Sequence, residues 1–494
     1  MRDFSLLNLK NEAFGVYDNL ASVTTGVFDP TIRLGVTGLA RSGKTVFITS
    51  LIQNLLTASR MPVLKAQNEG RISRVSLQPQ PDDDIPRFSY EEHVESLMKD
   101  RRWPQSTTSI SQLRLKIEYE TAEGWGKYFS PGHLNVDIVD YPGEWLLDLP
   151  LISQNFETFS QNALDLATKG ARRQLSATWL NSLMQIDSTS PMSEPEIKRI
   201  ATEFSDYLKA CKDEKWAFST LPPGRFLLPG DLEGSPAVTF FPLAKTAEGK
   251  SDPNSLYATM ERRYESYKSK VIKPFYQNHF ARLDRQIILI DALQALNAGS
   301  DAVVDLERGI ADILLSFNIG KNNFFENLFT RRIDKIMIAA TKADHLHHQS
   351  HDKLQKLINR LVERAMTKVG ASGAEIDVIA MAAVRATKEA SYKDGTDELP
   401  VIIGTPDNGQ QINGLSFDGK SEKAIFPGDL PEDPDSIFKA LESKSDKDLR
   451  QTHDLNFVKF RPPELTSEKN TINVSLPHIR LDKAIEFLIG DRLQ

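Results

Sequence analysis

Gly38-Leu39-Ala40-Arg41-Ser42-Gly43-Lys44-Thr45 sets two glycines, a lysine and a hydroxyl at the spacing of a phosphate-binding loop. The glycines let the backbone of Gly38, Ala40, Ser42 and Gly43 curl around a polyphosphate, Lys44 reaches the outer phosphates, and Thr45 offers its hydroxyl to Mg²⁺. Such a loop needs a strand before it and a helix after it. The apolar run 32–36 and the amphipathic segment 46–56 supply them, so the N–H groups and dipole at Thr45 and Val46 add to the hold on an anion.

Two more motifs stand where apolar strands end. Leu134-Asn135-Val136-Asp137-Ile138-Val139 runs into Asp140-Tyr141-Pro142-Gly143-Glu144, where Asp140 can hold a water of the Mg²⁺ shell and Gly143 can bring its N–H to a γ-phosphate. Ile336-Met337-Ile338-Ala339-Ala340 runs into Thr341-Lys342-Ala343-Asp344. A carboxylate at Asp344 accepts both N1–H and the exocyclic N2–H₂ of guanine, whereas adenine offers an acceptor at N1 and nothing at C2. Lys342 can lay its aliphatic stem over the base. After a further apolar strand, 378–381, Ala383 and Val384 stand where a backbone N–H can meet the guanine O6.

The elements that must position these residues are those of a large folded chain. Its 494 residues are 40% hydrophobic and 26% charged, enough for a sizeable core and more than one lobe. The net charge of −7 argues against broad nucleic-acid binding. The single cysteine, Cys211, excludes an internal disulfide and fits a reducing, cytoplasmic setting as a small core residue. No run approaches the ~18 apolar residues that span a bilayer, and the first residues lack the apolar region of a secretory signal. Residues 1–30 read as one helix with Leu9, Phe14, Tyr17 and Leu20 on one face; packing on the nucleotide-binding core is expected over peripheral membrane contact.

The four motifs in this order resemble a Ras-like GTPase core. More narrowly, the chain resembles the YcjX family of bacterial stress-associated P-loop proteins, on residues 38–45, Trp103-Pro104 ahead of Thr107, residues 140–145, Ile290-Asp291-Ala292-Leu293-Gln294-Ala295-Leu296-Asn297-Ala298-Gly299, and residues 341–344. The resemblance implies an α/β P-loop NTPase fold, binding of GTP or GDP with Mg²⁺, and a link to stress responses. A Ras-like machine also needs a threonine ahead of its second strand to meet Mg²⁺ and the γ-phosphate. Thr107 is the first candidate and Thr108 the second, both a few residues before the strand expected at 113–118.

Two departures from the small-GTPase pattern bear on catalysis. Glu144 follows Gly143 where small GTPases place a glutamine. An amide accepts from the attacking water and donates to the transition state, but an ionised carboxylate only accepts, so slow hydrolysis is expected. Arg41 lies inside the phosphate loop, at the place where guanylate-binding proteins carry an internal arginine finger and cation-dependent GTPases carry an asparagine. Its guanidinium could neutralise charge at the bridging oxygens, or stand in solvent.

The organisation expected is a core in two parts, 31–149 and 284–390, with a mainly helical insertion at 150–283 and hairpins, loops and a docking helix at 391–494. Within the insertion, helical spacing marks 154–167, 171–186, 194–211 and 256–282, the third opened by the capping box Ser193-Glu194-Pro195-Glu196. This lobe follows directly on the γ-phosphate loop, so it is placed to read the nucleotide state out to a protein effector or to guard the phosphates. Residues 70–103 read as a charged, Pro-interrupted mobile segment with one helical piece, and 427–434 as an exposed acidic loop. His345, His347, His348 and His351 cluster after Asp344; His347 and His351 would share a helical face, but with no cysteine or nearby carboxylate to complete a metal site the expectation is a solvent-facing group.

Overall fold

The computed structural model describes residues 30–39, 41–59, 61–121, 132–245, 252–317, 333–369, 373–394, 397–412, 414–442, 455, 457–465 and 474–494. The helix expected at the N-terminus and Ala40 lie outside the described residues, apart from Pro30.

A seven-stranded sheet organises the molecule. Its strands are β1 (Thr31–Gly38), β2 (Ile72–Gln78), β3 (Ser111–Tyr119), β4 (Gly132–Asp140), β5 (Arg285–Ile290), β6 (Lys335–Ala340) and β7 (Glu375–Ala380), in the spatial order β2-β3-β4-β1-β5-β6-β7. Strands β4, β1, β5, β6 and β7 are parallel, and β2 and β3 run antiparallel at one edge. The central strands are buried on both faces, as parallel strands under helices must be, and so read as unbroken apolar runs. Successive residues face opposite layers: Ile287 and Leu289 pack with one core, Ile288 and Ile290 with the other.

One layer holds α1 (Lys44–Leu56), α2 (Tyr90–Met98) and, at the far end of the chain, Leu481, Ile485 and Leu488 of the last helix. The other holds the helices of residues 150–283, among them α3 (Glu194–Cys211), together with α4 (Ser300–Ser316) and α5 (His351–Val369). Helix α3 begins where the sequence sets its cap: the Glu196 carboxylate accepts from the Ser193 N–H at 3.4 Å and its hydroxyl at 2.6 Å. Ile197, Ile200, Phe204, Leu208 and Cys211 form its buried stripe, as their spacing requires.

Several expectations are corrected. Residues 70–103 are not merely a mobile linker, because β2 pairs with β3 along Arg74↔Glu118 to Gln78↔Arg114. Its apolar positions are few and half-buried, the weak signature of an edge strand. The helix expected over 256–282 breaks into Leu256–Tyr267, a π-helical turn at Lys268–Ile272, Lys273–Asn278 and Phe280–Arg282; Pro274 offers no N–H to continue the ladder. The helix expected over 171–186 is two pieces, Arg172–Leu175 and Ala177–Met184. The 427–434 stretch is only partly exposed. Leu430 is buried, and Asp429 and Glu432 pair with Lys353 of α5 at 2.8 and 3.2 Å, so the acidic loop is fastened to that helix. A small antiparallel sheet containing β8 (Lys388–Asp394) and β9 (Asp397–Gly404) forms within the region expected to hold hairpins.

Candidate functional site

The parallel strands end along one edge of the sheet, where α/β proteins bind ligands. Gly38 closes β1 opposite Leu289, and a Cβ on it would lie 2.0 Å from Ser42 Oγ. Gly43, at φ 82°, turns the chain into α1, and Phe47 N–H donates to its carbonyl at 2.9 Å. Arg41 also adopts a left-handed φ of 63°, which is costly for a residue with a Cβ. Val46 is half-buried in the first turn of α1.

Lys44, Thr45, Thr107 and Asp140 meet here. Lys44 Nζ stands 2.9 Å from Asp140 Oδ1, and the Thr107 hydroxyl donates to Asp140 Oδ2 at 2.6 Å. Thr45 Oγ1 lies 3.3 Å from Thr107 Oγ1 and 3.2 Å from the Gln105 carbonyl. Thr108 is exposed. Two hydroxyls and a carboxylate are hard oxygen donors of the type Mg²⁺ takes, so the residues present fit that ion. Gly143 packs so closely against the phosphate loop that a Cβ would sit 1.9 Å from the Gly38 carbonyl oxygen. Glycine at 143 is therefore a requirement of that approach.

Glu144 and Arg41 are both held by the end of α3. Lys212, the residue after the helix, places Nζ 2.5 Å from Glu144 Oε1, and Glu214 lies 3.6 Å from the Arg41 guanidinium. Glu214 also pairs with Lys459. The segment around Lys459 clasps the chain ahead of Thr107: Trp103 Nε1 donates to the Phe460 carbonyl at 2.6 Å, and Arg101 Nε to that of Pro462 at 3.3 Å. Behind Glu144, the buried Asp148 accepts from Gly224 N–H at 2.7 Å and from the Tyr267 hydroxyl at 2.5 Å, joining the chain that follows Gly143 to the helical layer of residues 150–283. Burial pushes its carboxyl up to about 7.

Asp344 is buried at the end of β6, and its Oδ2 accepts from Ala386 N–H at 2.8 Å while its carbonyl accepts from the Thr387 hydroxyl at 2.5 Å. Lys342, in the left-handed region at φ 60°, pairs with Asp291 at the end of β5. Ala383 gives its carbonyl to Ser50 Oγ at 2.5 Å, and Val384 is buried. His345 packs edge-on to the Phe460 ring, and burial lowers its imidazole's pKa below the ordinary value. Sequence reasoning missed Lys212, Glu214, Ala386 and Thr387; only Asp291 stood inside a motif already singled out.

The chain matches the YcjX-like family, DUF463, over residues 32–493. It is 37% identical over 486 residues to the Ras-like GTPase YcjX of Escherichia coli strain K12, covering 96% of this chain and 98% of that one. It is 32% identical over 485 residues to the Ras-like GTPase YcjX of Shewanella oneidensis, covering 94% of this chain and 95% of that one. With sequence similarity to these relatives over nearly its whole length, the chain belongs to the YcjX-like family.

Proposed function

We propose that this chain binds GTP and GDP with Mg²⁺ and hydrolyses GTP to GDP and phosphate slowly, as a switch. The observation that carries the reading is the meeting of Lys44, Thr45, Thr107 and Asp140 behind Gly43, with Asp344 at the end of the next-but-one strand from β1. Lys44 is the cation for the outer phosphates, and the N–H groups of residues 42–46 form the cradle around them. Thr45, Thr107 and Asp140 are the residues to hold Mg²⁺, directly or through its waters; the ion supplies charge neutralisation at the phosphates. Gly143 brings its N–H to the γ-phosphate. Asp344 and Lys342 select and cover guanine, with the N–H groups of Ala383 and Val384 near its O6.

Turnover is expected to be slow because Glu144 is both acceptor-only and engaged by Lys212. Arg41 is the residue to neutralise the leaving group's charge, a role worth about 10³-fold or more in rate, and it must leave Glu214 to do so. The insertion, joined through Lys212, Glu214 and Asp148, is the part that carries the nucleotide state to a protein effector. Among the described residues no helix is long and apolar enough to cross a membrane; the reading places the protein in the cytoplasm.

Phosphate release by the purified protein, with Lys44→Ala as control, tests hydrolysis. Release above that control supports the switch. Release equal to it favours the second reading, a GTP- and GDP-binding scaffold that signals through its insertion, for which the Lys212–Glu144 pair speaks. Competition of GDP against ADP tests the base, and equal affinities would remove the guanine assignment. Single-turnover hydrolysis by Arg41→Ala tests the arginine.

A further inference from the structure

The four histidines after Asp344 are sorted by what their rings already do. His345 lies against Phe460, with ring centroids 5.3 Å apart. His351 opens α5, and its Nε2 is 3.3 Å from the Leu346 carbonyl. Because the helix starts only there, His347 and His351 do not share a helical face as the spacing predicts. His347 and His348 are instead neighbours of one another, with ring centroids 4.2 Å apart. The carboxylate absent from the local sequence comes from β8: one ligand atom each of His347, His348 and Glu389 lie within 4.8 Å of one another.

Two features distinguish this trio from a surface cluster. His347 is only 7% exposed, and its Nδ1 has no hydrogen-bond partner among the described residues. Folded proteins rarely leave a buried polar atom so. Glu389 is also aimed: Arg385 Nη2 holds Oε1 at 3.2 Å, and Oε2 stands 2.7 Å from His348 Nδ1. A second partner that fixes a carboxylate's orientation is a regular companion of metal ligands.

We propose that His347, His348 and Glu389 bind a divalent transition metal of the Zn²⁺ type. Two imidazoles and one carboxylate suit Zn²⁺ or Co²⁺ over Mg²⁺ or Ca²⁺, which take oxygen ligands, and leave a fourth position for water. Ligand atoms about 2.0–2.1 Å from a tetrahedral ion stand about 3.3 Å apart, so no pair has to close by more than ~1.5 Å. His348 has room for this, its side chain being 62% exposed. Entry of the ion at this pair replaces the His348 Nδ1 contact with Glu389 Oε2 by bonds to the metal.

The site's place in the chain gives it a consequence. His347 and His348 end the loop that carries Lys342 and Asp344, and Glu389 follows Ala386 and Thr387, which grip Asp344 from the other side. A metal here clips the two halves of the base-binding edge together. This consequence, unlike the site itself, rests on the guanine reading. Metal affinity and GDP affinity are then linked, each changing the other by the same factor.

The test uses the full chain with any affinity tag removed, and Co²⁺ as probe. One Co²⁺ per chain is expected, with visible ligand-field absorption, displaced by Zn²⁺. His348→Ala, at an exposed side chain, and the isosteric Glu389→Gln should each weaken binding at least about tenfold. No stoichiometric Co²⁺ binding, or binding untouched by both variants, would overturn the site, whatever nucleotide the protein holds. GDP titration with and without Zn²⁺ tests the linkage: an affinity change of about fivefold or more in the wild type and none in His348→Ala is expected. An unchanged GDP affinity overturns the clip, and absence of any GDP binding strikes the guanine reading while the Co²⁺ result stands.

Discussion

Lys212 Nζ lies 2.5 Å from Glu144 Oε1, so the first residue beyond α3 grips the residue next to Gly143, the glycine pressed against Gly38. Both side chains are mostly shielded, at 28% and 12% exposure, which lets the pair contribute more than a solvated surface bridge. Lys212→Ala and Glu144→Gln should each destabilise the chain, and the double variant should be less destabilised than the sum by about 1 kcal/mol. Urea unfolding at a fixed GDP concentration measures this cycle. Additive losses would mean that the contact carries no energy and that the insertion is not tied to Gly143 through it.

Glu214 presents a different case, an exposed pair whose interest is kinetic. It lies 3.6 Å from the Arg41 guanidinium and is also paired with Lys459. An exposed ion pair is worth up to ~1 kcal/mol, so freeing Arg41 raises its untethered population about fivefold. Single-turnover GTP hydrolysis should accelerate by about that factor in Glu214→Ala, and the gain should vanish when Arg41→Ala is added. An acceleration that survives loss of Arg41 would assign the effect to Lys459 and the segment it anchors.

Asp344 supplies a chemical test of base choice. Its Oδ2 is already fixed by the Ala386 N–H, so Asp344→Asn can keep that contact through its carbonyl and turn its amide toward the ligand. The lost charge-assisted bonds to guanine, at roughly 1.5–3 kcal/mol, should weaken GDP by about 10- to 100-fold. Xanthine carries a carbonyl at C2 in place of guanine's amine, and the asparagine amide can donate to it. Xanthosine diphosphate should therefore bind the variant better than GDP does. Competition binding reads both, and a variant that still prefers GDP would show that Asp344 does not face the base.

What the sequence disclosed and what it withheld follow a single physical division. Residues 38–45 and 341–344 were legible because their chemistry is set by spacing within one turn of chain, and Thr107 could be named from its place before β3. Lys212 and Glu214 gave no local sign: they lie far along the chain from Glu144 and Arg41, and only the docking of α3 brings them back. Ala386 acts through a backbone N–H, which every residue but proline owns. Glu389 reaches the histidines from a strand that had to pair first. Strand β2 was missed because an edge strand needs few apolar residues, whereas β5 and β6, buried on both faces, advertised themselves.

Asp148 makes the junction between the chain after Gly143 and the helical layer of residues 150–283 sensitive to pH. Burial raises its carboxyl to about 7 in the folded protein, against 3.8 in an exposed chain. Between these values the folded state binds the extra proton, so stability falls as pH rises; the group's contribution is full below about 3.8 and lost above about 7. Asp148→Asn mimics the protonated form, its carbonyl kept on Gly224 N–H and its amide donating to a Tyr267 hydroxyl that turns to accept. The variant should gain on the wild type by up to ~1.4 kcal/mol for each pH unit across the upper part of that window, with the gain levelling off above it. Melting temperatures of both proteins between about pH 5 and 8 measure the difference. A gap that stays constant with pH would mean that Asp148 is ionised throughout, held by Gly224 N–H, Tyr267 and the nearby Arg225 strongly enough to offset its burial.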